Sequence, residues 1–271
     1  MSDTARAREG TMTHGRTFLH RSLPAVVLVG LAATLMGSSD PVVEKSVAPK
    51  RGGVPAKQGT AAKKGTDKML ERIHWLGHAS FRIDGGRVIY FDPFQLKKEA
   101  PPADVIFISH EHSDHCSPKD VARILKEGTV IVTTADCAKK LSGQVKTVKP
   151  GDKMTVAGLE IEVVPSYNVD KQFHQKAKGW VGFIVTLDGV RIYHAGDTDF
   201  IPEMKSLKAD VAFLPVGGTY TMNAAEAVKA ADAIKPQIAI PMHYGSIVGT
   251  DKDAETFKKK CSVRVEILKA E

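Results

Sequence analysis

A chain of 271 residues is enough for one large domain or two small ones, and a hydrophobic content of 42% is ordinary for a globular protein. The formal charge of +7 sits in the first 68 residues, which hold 11 Lys and Arg against 5 Asp and Glu, while residues 69–271 hold 27 against 26. That later part is nearly neutral and the chain has only 6% aromatics, so no basic, aromatic-interleaved face is present and no nucleic-acid partner is expected.

Arg16 and Arg21 precede an apolar run over residues 25–36, and Gly37, Ser38 and Ser39 follow it. That order resembles a secretory signal peptide, so residues 1–39 are read as a leader or an uncleaved N-terminal anchor. The run is shorter than the roughly 20 residues of a spanning helix. No Cys follows it, which argues against a lipoprotein anchor, and Met12 offers an alternative start. The expected location is periplasmic or extracellular, or anchored, with membrane contact only through this segment. Residues 40–68 are rich in Pro, Lys, Gly, Ala and Thr and are expected to form a disordered linker. The folded domain is assigned to 69–271.

Strands are predicted over 71–76, 80–83 and 87–91, with Asp84-Gly85-Gly86 as a hairpin turn. Residues 104–109 read as a buried strand. Ser117 and Pro118 open a helix over 118–126 as N-cap and first helical residue. A strand at 129–132, a short helix at 134–141 and strands at 145–148, 154–156 and 159–164 follow. Residues 165–179 form a long polar loop of the kind that carries function or is disordered. Strands at 180–187 and 190–193 are joined by Asp188-Gly189. After a strand at 210–214, Asn223 and Glu226 form a capping box that opens a helix to residue 234. Residues 237–241, 254–260 and 263–267 read as strand, helix and strand. Strands come first with hairpins and then alternate with helices, in two halves, which points to two mixed sheets packed face to face with helices outside.

The densest chemistry is His110-Glu111-His112-Ser113-Asp114-His115, at the C-terminal mouth of the strand over 104–109. Imidazole and carboxylate are the usual donors to a catalytic zinc-type ion. His110 and His112, two apart, can face one side, while Asp114 and His115 reach a second ion at the turn. Asp92, Asn168, His174, Asp197 and His243 stand on other strand-ending loops. Asp92 can equally cap its strand before Pro93. The three cysteines, Cys116, Cys137 and Cys261, are an odd number and exclude a complete intramolecular disulfide set. In an exported protein Cys137 and Cys261 can pair; Cys116 is expected to be a small buried residue.

The 110–115 cluster, His194-Ala-Gly-Asp197-Thr and Pro241-Met-His243-Tyr together resemble the metallo-β-lactamase superfamily over roughly residues 70–266. His74-Trp-Leu-Gly-His78-Ala-Ser and Phe91-Asp92-Pro93 look like the branch containing ascorbate-phosphate lactonase and the phospholipase D that hydrolyses N-acylphosphatidylethanolamine. The resemblance implies a mixed α/β fold, a four-layer αββα sandwich with its metal site at one edge. It implies two divalent ions, zinc first with Mn2+ or Fe2+ as the other candidates. His110 and His112 would bind the first; Asp114, His115 and His243 the second; Asp197 would bridge, and Asp92 would accept from a ligating His. The third His of the first ion departs from the family pattern. Asn168 falls where it is expected and His174 comes six residues later, so either His174 folds back or Asn168 or water fills the place. His78 would line the pocket or bond a carboxylate, and His194 would support Asp197. Tyr220 and Tyr244 would steady an oxyanion or pack with satisfied hydroxyls.

The implied activity is hydrolysis of an ester, lactone or phosphodiester by metal-bound hydroxide, with Asp114 as the catalytic carboxylate and a small-molecule or lipid-like substrate. Gly-x-Ser-x-Gly, Gly-x-x-x-x-Gly-Lys and post-strand Gly-x-Gly-x-x-Gly motifs are lacking in the sequence. Two rivals stand: a non-catalytic metal-binding protein on the same fold, and a redox di-iron protein, against which His112 argues. Oligomeric state is not legible.

Overall fold

The computed structural model describes residues 56–271. The first sheet contains β1 (Ile73–Gly77), β2 (Ser80–Ile83), β3 (Ile89–Phe91), β4 (Val105–Ile108), β5 (Val130–Thr133) and β6 (Gln144–Thr147), neighbours in that order. The second contains β7 (Lys153–Val156), β8 (Leu159–Pro165), β9 (Val181–Leu187), β10 (Val190–His194), β11 (Val211–Pro215), β12 (Ile238–Met242) and β13 (Arg264–Val265), also in chain order. Five α-helices accompany them among the described residues: α1 (Ala56–Leu70), α2 (Pro118–Ile124), α3 (Ala135–Ala138), α4 (Ala224–Ile234) and α5 (Asp251–Lys260).

Each sheet begins antiparallel and ends parallel. β1 to β3 and β7 to β10 pair as antiparallel neighbours; β3 to β6 and β10 to β13 run parallel. Parallel neighbours need a crossover, and α2, α3, α4 and α5 each sit in one. The C-terminal ends of the parallel strands therefore gather at one edge, where loops collect functional groups.

Side-chain alternation separates the layers. Val105 and Phe107 of β4 join the core between the sheets, while Ile106 and Ile108 point the other way and pack with Val121 and Ile124 of α2 and Cys137 of α3. Across the inter-sheet core, Phe81 stacks on Phe213 with centroids 4.1 Å apart, and Phe107 meets Phe183 at 5.1 Å. Each fully buried Phe contributes about 1.5–3 kcal/mol relative to exposure. α4 and α5 cover the second sheet through β11 and β12. This is the predicted four-layer sandwich.

Local signals held where they were chemical. Ser117 caps α2 by accepting from the Asp120 N–H, and the Asn223–Glu226 capping box closes at 3.0 and 2.9 Å. Composition misled at α1, which begins at Ala56 inside the stretch over 40–68 read as linker and ends at Leu70. That stretch has no Pro after Pro55 and is rich in Ala and Lys, good helix formers. Its end is docked by buried Met69 and by the Thr66 hydroxyl, which donates to Gln237 Oε1 at 3.1 Å. The leader call and the first part of the linker lie outside the described residues. Among the described residues no helix is long and apolar enough to cross a membrane.

The three cysteines are free. A Cys137–Cys261 pairing is not made, because the two lie in different layers. Cys137 shares the α2–α3 cluster with Cys116, whereas Cys261 packs against the main core. Cys116 is buried, as expected.

Candidate metal centre

Strand ends deliver the site. β3 ends at Asp92, β4 at Ser109 and the 110–115 turn, β8 leads to Asn168, β10 to Asp197 and β12 to His243. Three of the residues at this edge hold left-handed backbone: His78 at φ 51°, Asp92 at 42° and His243 at 59°. Such conformations cost about 1–3 kcal/mol each for non-glycine residues and cluster at functional sites. Gly196 also has positive φ, and a Cβ there would lie 2.9 Å from the Val181 carbonyl oxygen. Only glycine lets the β10 end turn closely enough to bring Asp197 inward.

His110, His112 and His174 bring one ligand atom each within 4.8 Å of one another, and so do His78, Asp114, His115 and His243. Asp197 stands between the groups. Its Oδ2 is 3.1 Å from His174 Nε2, 3.0 Å from His243 Nε2 and 4.0 Å from His110 Nε2; its Oδ1 is 3.3 Å from His115 Nε2. His174, not Asn168, thus joins the first group. The Asn168 side chain instead holds it: Oδ1 accepts from the His174 backbone N–H at 2.8 Å and lies 3.2 Å from Nδ1. Asn168 Nδ2 donates to Asp199 Oδ1 at 3.1 Å and to the Tyr220 carbonyl at 2.9 Å. Asp199 also accepts from the Val169 N–H and from Lys171, so it ties down the whole start of the loop.

The other imidazoles are oriented from behind in the same way. Asp92 Oδ2 accepts from His115 Nδ1 at 2.7 Å and from the Ser109 hydroxyl at 2.6 Å; Oδ1 accepts the Ser109 N–H at 2.7 Å. With its proton given to Asp92, the Ser109 hydroxyl accepts from His110 Nδ1 at 2.9 Å. Asp92 is therefore an acceptor for a site histidine as well as a strand cap. These outer bonds place the proton of His110, His115 and His174 on Nδ1 and turn the Nε2 lone pairs inward. The polar atoms that remain buried without a hydrogen-bond partner include His115 Nε2, His174 Nε2, His243 Nε2 and Asp197 Oδ1. Lone pairs converging without a donor are what a cation site requires, so the residues fit a metal ion.

The electrostatics agree. Burial alone would raise the Asp197 carboxyl, but His115 and His243 outweigh it and hold it well below the usual carboxylate range. Burial depresses His115, yet Asp197 and Asp92 lift it well above the ordinary imidazole value, so these carboxylates favour positive charge at this ring, whether a proton on Nε2 or a cation in its place. Burial, with the charge of His115, holds His110 well below. Burial likewise lowers His112 and His78. Burial opposes ionisation of Asp114, but the His78 hydrogen bond and His115 bring its carboxyl down to about 2. His78 Nε2 meets Asp114 Oδ2 at 3.0 Å, the carboxylate contact expected of it.

His194 is satisfied on both sides. Nε2 donates to the Ala79 carbonyl at 2.8 Å and Nδ1 accepts the Gly196 N–H at 3.2 Å, so it braces the turn carrying Asp197. Tyr220 lines the cavity in front of the cluster, with Phe94, His112, Ser113, Asp114, Phe173, His174, Asp197 and Ile247. Tyr244 does not. It is buried, stacks on Trp75 at 4.8 Å and borders a different cavity with Asp251. Of the two roles left open for it, packing is the one observed: the left-handed turn at His243 sends the next side chain away from the cavity. Ser109 and Asp199 were not anticipated. Their roles are tertiary, and only the adjacency of Ser109 to the His cluster hinted at one.

Residues 72–243 match the family model for the beta-lactamase superfamily domain, and the chain belongs to this metallo-β-lactamase superfamily. The UPF0173 metal-dependent hydrolase of Archaeoglobus fulgidus is 36% identical over 223 residues, covering 73% of this chain and 96% of that protein. A solved structure from Parabacteroides distasonis, described as a metal-dependent hydrolase, is 38% identical with a TM-score of 0.65, covering 72% of this chain and 91% of its own. Igni18, a metallo hydrolase from Ignicoccus hospitalis, is 26% identical with a TM-score of 0.61, covering 73% and 94%. The chain is thus a metal-dependent hydrolase. These names do not extend to the lactonase and phospholipase branch.

The expectation of an exported or anchored protein does not stand. The Archaeoglobus relative is matched over 96% of its length and the Thermococcus kodakarensis relative likewise over 96%, so these archaeal hydrolases have almost nothing outside the shared domain, and export has no support from them.

Proposed function

We propose that this hydrolase is binuclear and cleaves an ester, lactone or phosphodiester. The observation that carries the reading is the convergence on Asp197 of His115 Nε2, His174 Nε2 and His243 Nε2, which like Asp197 Oδ1 are buried and make no well-formed hydrogen bond. His110, His112 and His174 would hold one cation, Asp114, His115 and His243 the other, and Asp197 would touch both. The imidazole-rich donor set favours zinc, with Mn2+ or Fe2+ as substitutes. Two such ions, when bound, lower the pKa of water and polarise a substrate oxygen. The chain supplies the rest. Asp114 borders the cavity, stays ionised at neutral pH and is aimed by His78, so it can accept a hydrogen bond from an attacking water and orient it. Trp180, with centroids 4.8 Å from both His110 and His112, walls that side against bulk water. The folded unit is proposed to begin at α1.

The binding-only alternative rested on an incomplete first group, and the place of His174 within 4.8 Å of His110 and His112 removes that reason. The di-iron alternative has nothing further in its favour. Elemental analysis of the protein as purified, with a screen of esters, lactones and phosphodiesters, tests the proposal. Two equivalents of metal are expected, and His112→Ala or Asp197→Ala should lose both metal and turnover. Full turnover by a metal-depleted His112→Ala protein would refute it.

A further inference from the structure

We infer that the site takes a small, uncharged ester or lactone whose apolar substituent rests against Phe94, Phe173, Tyr220 and Ile247; this rests on the hydrolase reading above. Among the described residues only three large apolar side chains are exposed: Val169 at 56%, Phe173 at 49% and Ile247 at 49%. Phe173 and Ile247 line the cavity that opens onto His112, Asp114, His174 and Asp197, and Val169 lies on the same loop as Phe173. Val169 borders a neighbouring cavity with Asp199 and Phe200, so two of the three, Phe173 and Ile247, share the cavity in front of the cluster, where paired exposed apolar groups mark a binding surface. Phe173 is also held in place, edge-on to Tyr220 with centroids 4.7 Å apart.

Charge points the same way. No Lys or Arg lines this cavity among the described residues. The nearby cations are engaged elsewhere: Lys171 with Asp199, Lys140 with Glu111 at 2.9 Å and Lys176 with Glu203 at 3.0 Å. Counter-charge for a phosphodiester would have to come from the cations alone, with no Arg or Lys to hold its second oxygen, whereas an uncharged acyl group needs no such partner. The cavity volume of about 330 Å³ lies at the small end of sites for small molecules. The apolar part of the substrate is therefore modest, an alkyl or aryl group of an acyl ester or lactone, and the scissile bond is the acyl C–O bond. Water supplies hydroxyl to the acyl carbon and a proton to the departing alcohol.

The test uses the metal-loaded full chain and two series. Calorimetry of linear amides from butanamide to octanamide, neutral and unreactive, should show affinity rising about two- to fourfold per methylene, the range for partial to full burial of a CH2. The Phe173→Ser/Ile247→Ser variant, altered at half-exposed positions, should flatten that rise. In the second series, kcat/KM for octanoyl ester and γ-octanolactone should exceed that for bis(p-nitrophenyl) phosphate. A flat amide series in the unaltered protein, an unflattened one in the variant, or preferred turnover of the phosphodiester overturns the inference while leaving the hydrolase reading in place. Absence of metal and of all hydrolysis would instead remove the hydrolase reading, and the amide series would still decide whether the apolar subsite exists.

Discussion

Asn168→Ala is the sharpest perturbation of the proposed first cation site, because it leaves all donors in place. It removes the acceptor of the His174 backbone N–H at 2.8 Å and one acceptor of His174 Nδ1 at 3.2 Å. The backbone bond from Asn168 N–H to the His174 carbonyl at 2.7 Å survives, and Nδ1 keeps the Tyr220 carbonyl at 3.3 Å. The ring is loosened rather than released. Leaving a buried N–H without a partner costs about 1–3 kcal/mol. The partner behind a metal-ligating His is worth about 10–100-fold in metal affinity, which at 1.36 kcal/mol per tenfold is about 1.4–2.7 kcal/mol. Zinc titration against a competing chelator should therefore show one of two sites weakened about 10–100-fold and the other kept. His174→Ala should weaken the same site more, and the double variant should lose no more than His174→Ala alone, since Asn168 acts through His174. Unchanged affinity at both sites, or losses that add in full, would refute the reasoning.

Asp92→Ala strips the acceptor from three buried donors, the Ser109 N–H, the Ser109 hydroxyl and His115 Nδ1, so urea unfolding should show a loss of at least about 3 kcal/mol; an unchanged midpoint would contradict this. Burial pushes the Asp136 carboxyl up, but hydrogen bonds from the Thr134 hydroxyl and from Trp180 Nε1, the latter at 2.7 Å, outweigh it and hold it below its usual value. A depressed folded pKa gives stability that is present above the unfolded value of about 4 and is lost as pH falls through the folded value. The advantage of the native chain over Asp136→Asn should be about 1 kcal/mol at neutral pH, discounted for partial exposure, and should shrink in acid; an advantage as large in strong acid as at neutral pH would dismiss the assignment. Chelation of metal should lower the thermal midpoint, since a ligand at about 100 times its Kd stabilises by about 2.7 kcal/mol; identical melts with and without chelator would count against the site.

What was legible in the sequence was whatever is fixed locally. Ser117 before Pro118, Asn223 with Glu226, and Asp188-Gly189 each satisfy their own backbone within four residues, so residue type alone specifies them. The 110–115 cluster was legible because its donors are adjacent in the chain. His174 was harder. It sits nine residues beyond the end of β8, and what returns it to the site is Asn168, tethered in turn to Asp199 at 3.1 Å from a distant turn. No periodicity encodes that. Ser109 shows the same limit, since its value lies in relaying between Asp92 and His110, and α1 shows the reverse, where a lysine-rich composition hid a docked Thr66.

The strained positions explain why the site needs this much support behind it. His78, Asp92 and His243 each sit at positive φ where a strand or hairpin ends, at about 1–3 kcal/mol apiece. Each is held by bonds that a relaxed backbone would lose. The His78 carbonyl accepts from both Trp75 Nε1 at 3.0 Å and the His243 N–H at 2.8 Å, so two strained residues from different sheets brace one another. Asp92 is fixed by Ser109 and His115. The two sheets are thus tied together at this edge by hydrogen bonds of the protein itself. Supports of this kind hold donors in a fixed arrangement, which is the general condition for a tight and geometrically selective site.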